Sequence, residues 1–163
     1  NSIDFVVTFQ VIEHIQDDNY FLEEIYRVLK PGGKLLLTTP NKLMSLSRNP
    51  WHIREYRPSE MKNILRKYFH NLTVKGVYGN DVVMEYYSKN KESVSKITRF
   101  DIFNLQYIMP RWILKVPYDI LNRFNRNKLK ANNESIVDSV KVEDYAIQDL
   151  TDNCLDYFCI ATK

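Results

Sequence analysis

Apolar residues fall along this chain in a pattern whose period changes several times, and each change marks an element. Residues 4–9 (Asp-Phe-Val-Val-Thr-Phe) place five apolar or β-branched side chains in a row, without the alternation of a half-wet strand. Such a run predicts a strand covered on both faces. Asp17 and Asp18 then stand where a helix cap belongs, ahead of Phe21, Leu22, Ile25, Val28 and Leu29, whose spacing makes one stripe on a helix over residues 19–30. Pro31 cannot continue that helix, Gly32-Gly33 supplies the backbone freedom for a tight turn, and residues 34–39 form a second strand. A strand–helix–strand unit of this kind makes its two strands parallel and its crossover right-handed.

Residues 41–56 read as a polar, irregular loop. Pro58-Ser59-Glu60 opens a helix to about residue 69, with Met61, Ile64, Leu65, Tyr68 and Phe69 on its inner face. Residues 72–78 alternate well enough for a third strand, ended by Gly79-Asn80-Asp81. Residues 82–152 change character and read as a helical insertion, with two or three short helices between 95 and 130 broken at Pro110 and Pro117. A last strand covers residues 154–162. The order is that of an α/β domain spanning residues 1–163 whose final strand arrives by a long connection.

Charge alters this picture only locally. The formal net charge of +3 over 163 residues does not point to nucleic acid. Between residues 96 and 130, however, eight Lys or Arg stand against two Asp, whereas residues 131–152 hold six Asp or Glu against one Lys. No apolar run reaches the roughly 20 residues that span a bilayer. Cys154 and Cys159, five apart in an extended segment, point to opposite faces and read as buried, reduced thiols of a cytoplasmic protein. Asn1-Ser2-Ile3 is not a natural start, so the chain is expected to be cut from a longer one.

The chemistry gathers after the first strand. Gln10, Glu13 and His14 follow its carboxyl end, where open α/β sheets place ligands. The runs Asp4-Phe5-Val6-Val7, Val11-Ile12-Glu13-His14-Ile15, Val28-Leu29-Lys30-Pro31-Gly32-Gly33 and Thr39-Pro40-Asn41 resemble class I S-adenosylmethionine-dependent methyltransferases. His52-Ile53-Arg54-Glu55-Tyr56 before a Pro-Ser-Glu helix start adds to the likeness, which is to the branch with the ubiquinone-biosynthesis O-methyltransferases. The resemblance implies a Rossmann-like sheet of which this chain supplies four contiguous strands, in the family's order 4-5-7-6, with the last strand antiparallel. The first strand would then be an unpaired apolar edge through which the chain self-associates.

The same resemblance implies S-adenosyl-L-methionine as cofactor, with Phe9, Gln10 and Val11 touching its methionine part. Phe9 reads equally as core packing. The family's glycine-rich loop and ribose-binding acid are absent, since the four glycines are Gly32, Gly33, Gly76 and Gly79, so the chain by itself is expected to be inactive. Methyl transfer needs an aligned nucleophile and a base for its proton. His14 is the natural base, because imidazole exchanges protons near neutrality, and Glu13 is its orienter or a second base. Alternatively Glu13 caps a helix and His14 packs on the sheet.

His52, Arg54 and Tyr56 are expected on a substrate-side loop, Arg54 holding an anionic group or pairing with Glu55 or Glu60. A metal-dependent branch of the superfamily carries Glu-x-x-Glu-His after this strand. Gln10 replaces the first carboxylate here, so no metal site is expected from Glu13, His14 and His52. The acceptor is expected to be a small or lipid-linked molecule, with O-methylation favoured and no nucleic acid. The basic aromatic insertion reads as a lid or dimer surface, or as a peripheral membrane contact around residues 107–114. The contrasting reading is a non-catalytic interaction module working through that insertion.

Overall fold

The computed structural model describes residues 1–99, 101, 104–132 and 140–163. Its elements, in chain order, are β1 (Ile3–Phe9), α1 (Asp18–Val28), β2 (Leu29–Pro40), α2 (Pro58–Arg66), β3 (Asn71–Gly79), α3 (Asp81–Thr98), α4 (Leu105–Ile108), α5 (Arg111–Asn132), β4 (Tyr145–Asp149) and β5 (Asp156–Thr162). One compact unit comprises Asn1–Met44, His52–Tyr78 and Ile147–Lys163; the other comprises Ser45–Trp51 and Gly79–Ala146.

The five strands lie in the order β1-β2-β5-β3-β4. β1 and β2 are parallel, whereas β5 runs antiparallel to both β2 and β3. The expected order 4-5-7-6 corresponds to β1-β2-β5-β3, with β4 an additional edge strand inside the segment expected to be helical. Asp17 caps α1, accepting from the Tyr20 N–H at 2.9 Å. The Glu60 carboxylate accepts from the Arg57 N–H at 2.8 Å and so closes the first turn of α2.

The core lies against one face of the sheet. Cross-strand pairs Leu35–Ala161, Leu37–Cys159 and Thr39–Tyr157 are all buried. Leu22 and Ile25 of α1 and Met61, Ile64 and Leu65 of α2, with Phe69, join them in one cluster. Val6 packs on the same cluster, and Thr8 is buried beside Leu37.

The other face departs from expectation. Phe5, Val7 and Phe9 alternate onto it and are exposed, so β1 is an edge strand covered on one face rather than both. An unbroken apolar run identifies a strand that has apolar neighbours on offer, and here only one face receives them.

The Pro-Gly-Gly segment is drawn into β2. Pairing jumps from Ile3–Leu29 to Phe5–Lys34, leaving the residues between as an irregular bulge. Gly32 sits at φ +80°, and a Cβ on Gly33 would meet the Lys30, Ile3 and Asp4 carbonyl oxygens at 2.9–3.2 Å. Both glycines are therefore required by backbone geometry.

In the second unit Pro117 does not end a helix but lies within α5. Pro110 does mark a break, immediately before α5 begins. The buried Asn125 amide of α5 donates to Asn90 Oδ1 of α3 at 2.8 Å and accepts from the Ser93 hydroxyl, fixing one face of α5 against α3. Of the acid-rich stretch 131–152, residues 133–139 lie outside the described residues. Cys154 precedes β5 instead of lying in it, and both cysteines are free and buried. Burial pushes the Cys159 thiol up to about 12, which removes it from thiolate chemistry.

Asn41, which follows β2, is fully buried and ties the sheet's carboxyl ends together. Its amide donates to the carbonyls of Cys154 (2.8 Å) and Asp152 (2.9 Å), and its Oδ1 accepts from the Tyr157 hydroxyl (2.6 Å). Asn41→Ala strands several of these groups at once and is expected to lower unfolding free energy by about 3 kcal/mol, read as a shifted urea midpoint at unchanged slope. The 163-residue chain is further expected to self-associate through β1. Sedimentation should show a larger species that Phe5→Lys with Val7→Lys returns to monomer, since charges on an edge oppose pairing.

Candidate functional site

β1 and β2 run parallel, so their carboxyl ends open on the same side, and the chain leaves β1 there through a strained residue. Gln10 has φ +55°, a left-handed backbone that costs a non-glycine residue about 1 kcal/mol. Its N–H still donates to the Thr38 carbonyl at 2.9 Å, holding the turn against β2. Strain retained in this way points to a functional position. Phe9 is exposed and Val11 half-buried on either side of it.

A short 3-10 turn, Ile12–His14, follows. Ile12 anchors in the core and Glu13 is almost fully buried. The Thr39 hydroxyl donates to Glu13 Oε2 at 2.9 Å, so the threonine of Thr39-Pro40-Asn41 holds this carboxylate. The Glu13 carbonyl accepts from the N–H groups of Ile53 (2.6 Å) and Arg54 (3.2 Å), binding the downstream loop to the turn. Glu13 thus caps no helix.

His14 projects outward with its side chain 44% exposed and its Nε2 3.9 Å from Glu13 Oε1. The loop brings His52 to it: the two rings meet edge to face with centroids 4.8 Å apart. His52 Nδ1 lies 2.5 Å from Glu55 Oε1, and both side chains are largely buried. A carboxylate accepts only, so Nδ1 carries the hydrogen of this bond, and Glu55 thereby fixes the orientation of the ring. Glu55 was not anticipated as an orienting group; its three-residue spacing from His52 was the available signal.

Glu13, His14 and His52 also form a potential metal-binding trio, their donor atoms lying within 4.8 Å of one another. Ligands around a single ion at about 2.1 Å sit at most about 4.2 Å apart, so the trio is loose for a preformed centre.

Two expected substrate contacts are placed differently. Tyr56 is fully buried, its hydroxyl donating to Asp18 Oδ2 at 2.7 Å, and its carbonyl lies 3.0 Å from the Tyr157 hydroxyl. It is a structural residue, not one on a substrate-facing surface. Burial, then the Asp18 bond, drives its hydroxyl pKa upward. Arg54 donates to the same Asp18 Oδ2 at 3.1 Å and lies over the Tyr56 ring, so its partner is Asp18 rather than Glu55 or Glu60. Its side chain is half exposed.

Asp156, the first residue of β5, was missed. It pairs with Pro40 across the sheet and so stands at the carboxyl end of β2. Burial pushes its carboxyl up to about 6; a hydrogen bond with Gln10 opposes this and the Glu13 charge adds to it. An acid opening the last strand had no motif around it, and only the antiparallel register brings it to Gln10.

Because the folded value lies above the ordinary 3.8, the fold is favoured when Asp156 is protonated. That contribution is complete below about pH 4 and is lost as pH rises through about 6. Asp156→Asn is therefore expected to stabilise the protein by about 2 kcal/mol at pH 7.5 and by almost nothing at pH 4, measured as the difference in urea midpoints at the two pH values.

The family described as methyltransferase domain matches residues 1–37, the β1–α1–β2 unit that carries Gln10, Glu13 and His14. A probable S-adenosylmethionine-dependent methyltransferase of Mycolicibacterium smegmatis is 46% identical over 69 residues, covering 39% of this chain and 27% of that protein. The mitochondrial ubiquinone biosynthesis O-methyltransferase of Rattus norvegicus is 49% identical over 39 residues, 24% of this chain and 11% of that protein. The chain thus spans about a quarter or less of the length of these relatives.

Among solved structures, a methyltransferase of Thermotoga maritima described as a possible histamine N-methyltransferase superposes with a TM-score of 0.53 at 15% identity. That match covers 98% of this chain and 56% of that one. Sequence over the first strand–helix–strand unit, and fold over nearly the whole chain, therefore both bear out the resemblance to class I S-adenosylmethionine-dependent methyltransferases.

Proposed function

We propose that this chain carries the acceptor side of an S-adenosylmethionine-dependent methyltransferase acting on a small or lipid-linked molecule. The observation that supports it most is the convergence of the Gln10 turn, buried Glu13 and the His14–His52 pair on one strand end, with Gln10, Glu13 and His14 inside the stretch that matches the methyltransferase domain family. S-adenosyl-L-methionine supplies an electrophilic methyl on a positively charged sulfur. The residues present suit a cation: Glu13 and Asp156 place two carboxyl groups at the strand ends, and Arg54 is drawn to Asp18. Phe9, Gln10 and Val11 line the side where its methionine end would lie.

Transfer of that methyl would join its carbon to the acceptor heteroatom and leave the carbon–sulfur electron pair on sulfur, so the residues here have to manage the acceptor's proton. The acceptor's proton passes to an imidazole. His14 is the exposed candidate, and His52, oriented by Glu55, is placed to take the proton through Nε2 or to orient the acceptor beside it. O-methylation is favoured because a hydroxyl acceptor gains most from such a base.

The full-length protein is expected to bind labelled S-adenosylmethionine and to methylate hydroxyl acceptors in preference to amines. His14→Ala is expected to lower kcat by about 10²-fold or more with KM little changed. Absence of cofactor binding sinks the enzymatic reading in favour of a non-catalytic interaction module. Binding with unimpaired turnover in His14→Ala removes only the role given to His14.

A further inference from the structure

The face of α5 opposite α3 carries a row that no catalytic argument uses. Trp112, Val116, Ile120 and Phe124 recur every four residues and are each 64–74% exposed; Ile108 of α4, four residues ahead of Trp112, is 72% exposed. From Trp112 to Phe124 the row runs about 18 Å along the helix. Residues 111–132 hold six Lys or Arg against one Asp. Arg123 and Arg126 are exposed beside the row. The single acid, Asp119, accepts from the Trp51 indole N–H at 2.9 Å, and Lys115 lies over that indole ring.

We infer that α5 is a membrane-docking helix whose apolar row enters the headgroup region of an anionic bilayer while Arg123 and Arg126 bind lipid phosphates. Three features select this occupant. The apolar face includes a Trp and long aliphatics, the side chains that suit the boundary between headgroups and acyl chains. The charge of the helix complements an anionic surface and opposes a second copy of itself, which would bring the same excess of cations. Finally, no described helix is long and apolar enough to cross a membrane, so α5 can lie along a bilayer but cannot span it. A reading centred on residues 107–114 is thereby extended by more than two turns, because Pro117 does not break the helix. The inference stands whether or not the protein transfers methyl groups.

The test is co-sedimentation of the full-length protein with vesicles of phosphatidylcholine alone and of phosphatidylcholine mixed with phosphatidylglycerol. Binding is expected on the mixed vesicles, falling with added salt and weak on phosphatidylcholine. Trp112→Ser with Phe124→Ser should abolish it. Arg123→Gln with Arg126→Gln, which leaves the apolar row intact, should reduce the partition coefficient by about 25-fold, near fivefold for each charge removed. Thermal melting confirms that both pairs of variants remain folded. Equal binding to both vesicle types, no binding at all, or binding unchanged in either pair overturns the proposal. So does light scattering in which Trp112→Ser with Phe124→Ser converts a dimer to a monomer, since the row is then covered by a second copy.

Discussion

The site depends on one buried amide. Asn41 sits where β2 ends, and its side chain bonds at once to the chain entering β5 and to the hydroxyl of Tyr157 within it. That hydroxyl also lies against the Tyr56 carbonyl, and Asn41 itself bridges to Tyr56. Three separate stretches of sequence are thus held at one point. A buried polar network of this kind stabilises only when every member is satisfied, so it admits one arrangement of the loop that precedes α2. In that arrangement Ile53 and Arg54 reach the Glu13 carbonyl and His52 comes to rest against His14.

What this scaffold holds together is unfavourable in itself. Burial raises the pKa of the Asp156 carboxyl, and the charge of nearby Glu13 raises it further. Arg54, whose backbone N–H reaches the Glu13 carbonyl, gives its side chain to the ion pair with Asp18 instead. Gln10 adds a left-handed backbone that its side chain does not favour. A left-handed residue and two neighbouring carboxyl groups thus fall together at this strand end, a concentration on which the functional proposal draws.

Much of the fold was legible because its signals are periodic. The stripe of α1, the Pro-Ser-Glu start of α2 and the apolar segments around them determined the order of elements, and Thr39-Pro40-Asn41 marked the right strand end. The face of β1 was not legible: an apolar run states what a strand can bury against but not whether a second layer is present. Pro117 also misled, since an exposed helix position tolerates the missing N–H better than a buried one. Tyr56 and Arg54 lay on a loop with the composition of a binding surface, and their actual partner, Asp18, is 36 to 38 residues distant in sequence. Asp156 required an antiparallel register that no local pattern encodes. The site's first half was therefore readable from adjacent residues, whereas its second half arises only from tertiary pairing.

The two exposed apolar surfaces, the outer face of β1 and the row on α5, invite different occupants for a reason rooted in the backbone. Among the described residues β1 is at the end of the sheet and pairs with β2 alone, so its other edge offers N–H and C=O groups alongside Phe5, Val7 and Phe9. Hydrocarbon cannot satisfy those groups, and leaving them dry costs several kcal/mol each; a protein strand can. A helix satisfies its own backbone, apart from the position opened by Pro117, so α5 presents side chains and little else. Its apolar row can enter a lipid phase without stranding a ladder of polar groups, while its cations remain at headgroup level. Edge and helix are therefore not interchangeable sticky patches: the first is chemically suited to a polypeptide, the second to a bilayer surface.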